Sequence, residues 1–197
     1  TRLVLEHTPE IPLWVQLPQF KEEGMVDQFM PGLPGLTQAG DKLFLDTTKA
    51  TFDEEFLAFF EDYLACSDSS SDLEGTRFSL TGDRAKGFTE FLNQIDETGR
   101  TFPVLKGQVT GPITFGTAVK DQDDRDIFYN DQLKDAAIKK LALNARWQAR
   151  HFRSRGATPI IFIDEPALAG FGTSAYITIT REDVTQAIEE IVMEIHS

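Results

Sequence analysis

Apolar residues recur along this chain in two rhythms, and the change from one to the other marks its elements. Ile160-Ile161-Phe162-Ile163 is an unbroken apolar run, three of its members β-branched, that stops at Asp164-Glu165-Pro166. Such a run predicts a short strand buried on both faces. Leu13 to Leu17, ended by Pro18, and Phe102 to Val109, emptying into Thr110-Gly111-Pro112, predict two more strands, and Leu43-Phe44-Leu45 a fourth.

Elsewhere the apolar spacing is three and four. Phe52, Phe56, Phe59, Phe60 and Tyr63 mark the buried face of one helix, with Thr51 and Glu54 in capping-box positions. Phe88, Phe91, Leu92 and Ile95 mark a second helix over 87–95. Leu133, Ala137, Ile138, Leu141, Ala145 and Phe152 mark a long one from about Ile127 to Arg155, with Gly156 where a left-handed C-cap belongs. A last helix runs behind Thr180, with Asp183 three residues on and Val184, Ile188, Ile191, Val192 and Ile195 on its inner face. Lys21 to Phe29 fits a short helix. Pro31-Gly32-Leu33-Pro34-Gly35 is irregular backbone that turns a corner or touches a ligand, and the serine-rich tract 67–72 is a solvated loop.

Strands alternate with helices, with no repeat and no clear hairpin. That order predicts an α/β protein with a parallel sheet, open or closed into a barrel, and four strands are about half of what an eight-stranded barrel needs. Thr1 to His7 reads as the end of a helix with no start, and Ile188 to Ser197 as a helix with no stop. Both predict a piece of a longer protein.

Composition narrows the function classes. With 197 residues, 41% of them hydrophobic, the chain supports one core, and residues 1–197 are read as one domain. A net charge of −13 speaks against binding to nucleic acid or to anionic membranes. Cys66 is the only cysteine, so no intrachain disulfide forms. No apolar run approaches a membrane span and no signal pattern opens the chain, which makes a cytoplasmic protein the simplest expectation. His7, His151 and His196 lie far apart in helical stretches, none at metal-ligand spacing from Cys66, and the run from Asp121 to Asp126 suits the dipole of the long helix behind it.

The candidate chemistry lies at strand ends, because ligands bind at the C-terminal ends of parallel strands. Thr110 offers a hydroxyl, Gly111 lets a ligand approach the backbone, and Asp164 can accept hydrogen bonds from an ammonium. In a parallel sheet these residues and Glu165 would face one cleft. The alternative is that Asp164 or Glu165 merely caps the turn that follows.

Taken together, Lys106-Gly107-Gln108-Val109-Thr110-Gly111-Pro112-Ile113-Thr114 and Ile161-Phe162-Ile163-Asp164-Glu165-Pro166-Ala167-Leu168 resemble the catalytic C-terminal domain of cobalamin-independent methionine synthase. The wider group includes uroporphyrinogen decarboxylase and corrinoid methyltransferases. The resemblance runs from about Leu13 onward and is specific from Lys106 to Leu168. It implies a (β/α)8 TIM-type barrel of which the chain covers about half. It also implies a zinc-dependent methyltransferase of methionine biosynthesis that transfers a methyl group to a thiol such as homocysteine. Asp164 takes the place of the family's substrate-holding aspartate, and Thr110, Gly111 and Glu165 are the further substrate-binding candidates.

Several family features are not matched. The zinc ligands belong to strands beyond the Asp-Glu-Pro motif, so this chain by itself is expected neither to hold zinc nor to turn over, and no catalytic residue is assigned. The family's Gly-Ser segment would precede Thr1. The glutamate that contacts folate is replaced by Gly170, and the tryptophan expected after the Thr-Gly-Pro turn falls near Ala118. The methyl donor therefore stays open between folate and a corrinoid protein. The alternatives are a tetrapyrrole decarboxylase, which would need an arginine-rich loop where only Arg2 occurs in the first seventy residues, and a non-catalytic binding module. A half barrel leaves strand edges and helix faces uncovered, so self-association or partial disorder is expected.

Overall fold

The computed structural model describes every residue except Ser69, Ser174, Ala175 and Ile177. The chain is mixed α/β. In order it forms α1 (Arg2–His7), β1 (Leu36–Ala39), β2 (Lys42–Leu45), α2 (Phe52–Ser67), α3 (Lys86–Thr98), β3 (Val104–Thr110), α4 (Pro112–Ala118), α5 (Asp131–Arg153), β4 (Thr158–Asp164) and α6 (Arg181–His196). Among the described residues these give two small sheets and no closed barrel.

β3 and β4 pair in parallel, with Lys106 opposite Ile160, Gln108 opposite Phe162 and Thr110 opposite Asp164. The expected strand over 13–17 reduces to one parallel bridge between Leu13 and Lys106. There the Trp14 N–H donates to the Lys106 carbonyl (3.0 Å) and the Lys106 N–H to the Pro12 carbonyl (2.9 Å). Past that bridge the Leu17 N–H turns to the Glu23 carboxylate (3.3 Å), so the segment leaves the sheet. β1 and β2 form an antiparallel hairpin, which corrects the expectation of none. Its two-residue turn is Gly40-Asp41, and Gly40 adopts a φ of 59° that a side chain would oppose.

α5 is the spine of the fold. Asn130 caps it by accepting from the N–H groups of Gln132 (3.1 Å) and Leu133 (3.2 Å), so the helix starts later than its apolar spacing suggests. Gly156, at a φ of 75°, ends it with the Ala157 N–H on the Phe152 carbonyl and the Gly156 N–H on that of Arg153. The predicted face from Leu133 to Phe152 is buried, and so is nearly every residue from Ala136 to Ala149, because α5 is enclosed by β3, β4, α2 and α6. Fully buried Arg146 ties α5 to two of these, α2 and α6: it donates to the Ser67 carbonyl (3.1 Å), the Cys66 carbonyl and the Glu194 carboxylate (2.7 Å).

Other expectations change in detail. Thr51 and Glu54 form no capping box; the Thr51 hydroxyl donates to Glu55 instead (2.7 Å). Thr180 and Asp183 do form one at the start of α6. The segment 21–29 is two short 3-10 turns rather than a helix. The acidic run closes its own loop, with Asp121 accepting from the N–H groups of Asp123 and Arg125 (2.9 Å each), and its last carboxylate, Asp126, pairs with Lys120. Part of the serine-rich tract, Ser69, falls outside the described residues. No helix of the described residues is long and apolar enough to cross a membrane.

β4 departs most from expectation. Its Ile161 and Ile163 pack into the main core, but Phe162, on the other face, is 51% exposed. Among the described residues β4 pairs only with β3, and the face opposite α5 is covered along β3, where Gln108 and Thr110 are buried under the 14–25 segment, but open at Phe162. The apolar run is therefore an edge strand with one covered face and one open one.

Candidate functional site

Thr110, Gly111, Asp164 and Glu165 meet at the C-terminal ends of β3 and β4, joined by the Gly111 N–H donating to the Asp164 carbonyl (2.8 Å). Their roles separate sharply. Glu165 turns its carboxylate onto the start of α4, accepting from the N–H of Ile113 (2.7 Å), the N–H of Thr114 (2.8 Å) and the Thr114 hydroxyl (2.6 Å). The Thr114 hydroxyl in turn accepts from the Ala167 N–H (3.1 Å). Glu165 thus satisfies the free amides of the neighbouring strand's helix, not of its own turn. Burial pushes its pKa up, and the three hydrogen bonds oppose that shift.

Gly111 is explained by the same carboxyl group. A Cβ there would stand 2.1 Å from the Glu165 Cδ, so the close approach that glycine permits is already taken by Glu165. Thr110 is 2% exposed, and its hydroxyl donates to the Met25 carbonyl, tying down the loop that follows the 21–23 turn. Asp164 is different. It is partly exposed, and its carboxylate accepts no hydrogen bond within the described residues.

Asp164 shares the open face of the sheet with residues that periodicity did not single out. Side chains alternate along β3, so Lys106, Gln108 and Thr110 lie on the open face, while Leu105, Gly107 and Val109 turn toward α5. The register adds Ile160, Phe162 and Asp164 from β4. The Lys106 ammonium lies 4.0 Å from the Phe162 ring centroid and 3.3 Å from the Gln108 Oε1. Burial pulls its pKa below the usual lysine value, and the Asp164 charge works the other way. The signal for these residues was the polar alternation Lys106, Gln108, Thr110 inside an otherwise apolar strand.

A second polar network lies behind the sheet. Lys140, Asn144 and Gln148 form an i, i+4, i+8 stripe on α5 and are all buried. Lys140 donates to the Arg77 carbonyl, and Asn144 to the Phe78 carbonyl (2.9 Å). Gln148 donates to the Asn144 Oδ1 (2.9 Å) and brackets Gln108, accepting from its N–H (3.1 Å) and donating to its carbonyl (2.9 Å). Desolvation lowers the Lys140 pKa to about 7, with Arg77 and Arg84 adding to the effect.

The Pro31 to Gly35 segment lines a cleft of about 580 Å³ with Ala58, Asp62, Cys66 and Arg77, away from Asp164. The Cys66 thiol in its wall is buried, which raises its pKa, and nearby Asp62 raises it further. Among the described residues no three His, Cys, Asp or Glu side chains converge as a metal ion requires, so these residues do not fit zinc. No family model, curated protein or solved structure matches the chain.

Proposed function

We propose that this chain is part of a methionine-synthase-like β/α barrel, with β3 and β4 as neighbouring barrel strands, belonging to an S-methyltransferase in which Asp164 holds the ammonium group of an amino-acid thiol. One observation carries the reading. Of the two carboxylates at the end of β4, Glu165 is occupied by the α4 amides, whereas Asp164 accepts no hydrogen bond among the described residues and lies at the C-terminal end of a parallel pair, where ligands of such sheets bind. A carboxylate that accepts no hydrogen bond keeps its acceptor positions open to a donor or a cation.

The family's chemistry adds the rest of the proposal. Zinc supplies thiol activation in the family's complete domain, and this chain's share is to bind and orient the substrate, not to make the thiolate. Folate and a corrinoid protein both remain candidate donors. A cytoplasmic protein whose isolated chain self-associates through the free edge of β4 belongs to the same reading. A monodisperse monomer by light scattering would remove that last element.

The deciding measurement is calorimetric titration with homocysteine and with 4-mercaptobutyrate, which lacks only the amino group. Homocysteine should bind at least tenfold more tightly, and Asp164→Asn should erase the difference. Equal binding of the two thiols by the native chain would end the proposal.

A further inference from the structure

We propose that Lys106 binds the carboxylate of the same ligand, so that the open face of β3 and β4 recognises both charged ends of an α-amino acid. The inference rests on the reading of Asp164 given above and adds the second recognition point. Lys106 and Asp164 carry opposite charges on one face of two paired strands, yet they form no ion pair; Asp164 acts on the lysine through its charge alone.

The register explains the gap. Lys106 stands opposite Ile160, and Asp164 stands opposite Thr110. The lysine stem leans forward to the Phe162 ring, which pairs with Gln108, and Asp164 follows two residues further on. Two residues of strand rise are about 7 Å. That separation is too wide for a direct contact, and an intervening molecule with a cation and an anion on adjacent carbons can satisfy both ends. A simple anion would leave Asp164 unmatched, and a simple cation would leave Lys106 unmatched.

The lysine head is also held in place. The Gln108 amide donates from Nε2 to the Trp14 carbonyl (3.2 Å), which turns its Oε1 toward Lys106. The Gln108 backbone is bracketed by Gln148, so its strand position is set from behind the sheet. Phe162 gives the ammonium an aromatic face on one side, and its exposure leaves an apolar floor for the ligand's own side chain.

The test uses three ligands on the full chain by calorimetry: homocysteine, 4-mercaptobutyrate without the amine, and 3-mercaptopropylamine without the carboxylate. In the native chain, loss of the carboxylate should weaken binding at least tenfold. Lys106→Met should bind homocysteine and 3-mercaptopropylamine alike while still preferring the amine, and Lys106→Arg should restore the carboxylate preference. Native-like circular dichroism of both variants secures the comparison. A native chain indifferent to the carboxylate, or a Lys106→Met chain that keeps the full preference, overturns the assignment. Loss of amine discrimination in the native chain overturns the Asp164 reading instead, and the carboxylate arm then stands or falls by itself.

Discussion

The two faces of the paired strands β3 and β4 are built from alternate residues of the same backbone and have opposite characters. The face toward α5 carries Leu105, Gly107, Val109, Ile161 and Ile163, and the Gln148 amide set against it is fully engaged with the Gln108 backbone and Asn144. The other face carries Lys106, Gln108, Phe162 and Asp164, where a cation and a carboxylate are left unjoined. One face is packed throughout; the other is tied down at Gln108 and Thr110 and open at Phe162. Substitutions should separate the two: costly for stability on the first, and felt mainly in ligand binding on the second.

The harshest test of the covered face is Gly107→Ala. The new Cβ would stand 2.3 Å from the Gln148 Oε1 and 3.1 Å from Ile161 and Phe152. Gln148 would have to withdraw, leaving the Gln108 N–H and carbonyl unsatisfied in the core. Overpacking and two orphaned backbone groups together should cost about 4 kcal/mol in urea unfolding. A loss below about 1 kcal/mol, within the range of a surface substitution, would show that this face is not tightly packed.

Lys140 tests whether the stripe on α5 carries charge. Its folded pKa of about 7 lies below the unfolded lysine value of about 10.4. Between those two values the unfolded chain binds a proton that the folded chain does not, so stability rises with pH across that window, by about 1.4 kcal/mol per pH unit. Below about 7 the rise ends and the cost of a buried ammonium is fully present. Lys140→Met should lack the rise. It should be relatively more stable than native at pH 6 and relatively less stable at pH 10, where only the hydrogen bond to the Arg77 carbonyl is missed. Parallel native and variant stability curves across this range would mean that Lys140 stays charged.

Glu165 sits between the two faces, at the strand end, and its effect should be smaller. Glu165→Gln puts an amide donor against the donors of α4 and should cost about 1 to 2 kcal/mol at neutral pH. The pH dependence runs opposite to that of an ordinary ion-paired acid. Because its folded pKa is raised, the folded chain binds a proton above about pH 4.3 that the unfolded chain has lost. Its stabilising contribution is complete below that value and declines as pH rises through the folded pKa. Thermal melts of native and Glu165→Gln should converge in this sense, and a native contribution that instead grows over the same rise in pH would contradict the buried, raised state.

Much of this arrangement was legible in the residues, for identifiable reasons. The apolar stripes of α2, α3, α5 and α6 have helical spacing and cover real core, and Gly156 and Thr180 end and start helices by local chemistry that needs no partner from elsewhere. The strand ends bearing Thr110 and Asp164 were legible because the prolines behind them stop pairing. What was not legible depends on distant contacts. Thr51 loses its capping box to Glu55, and the buried face of β4 is set by what packs on it, not by its own composition. Glu165 belongs to α4, a helix some fifty residues earlier in the chain, as does the reason for glycine at 111. The Gly40-Asp41 turn was readable and fell between two short runs with little alternation to announce them.

The smallest expected effects on stability are on the open face, and their smallness is the point. Phe162→Ala removes a ring that is half in solvent and one cation–π contact with Lys106, worth about 0.5 to 1 kcal/mol at an exposed site. Asp164→Asn breaks no hydrogen bond of the described residues and should change stability by less than about 0.5 kcal/mol. Both variants should melt close to the native chain while losing affinity for an amino-acid thiol. If Phe162→Ala instead cost more than about 2 kcal/mol, the ring would be holding structure, and Lys106 would stand beside it as packing rather than as a ligand group. A face that tolerates substitution and yet keeps a lysine held only by Gln108 and Phe162 near an aspartate that accepts no hydrogen bond among the described residues is not explained by folding alone. If both variants keep the native melting point and lose the thiol, binding across this face is the role left for Lys106 and Asp164.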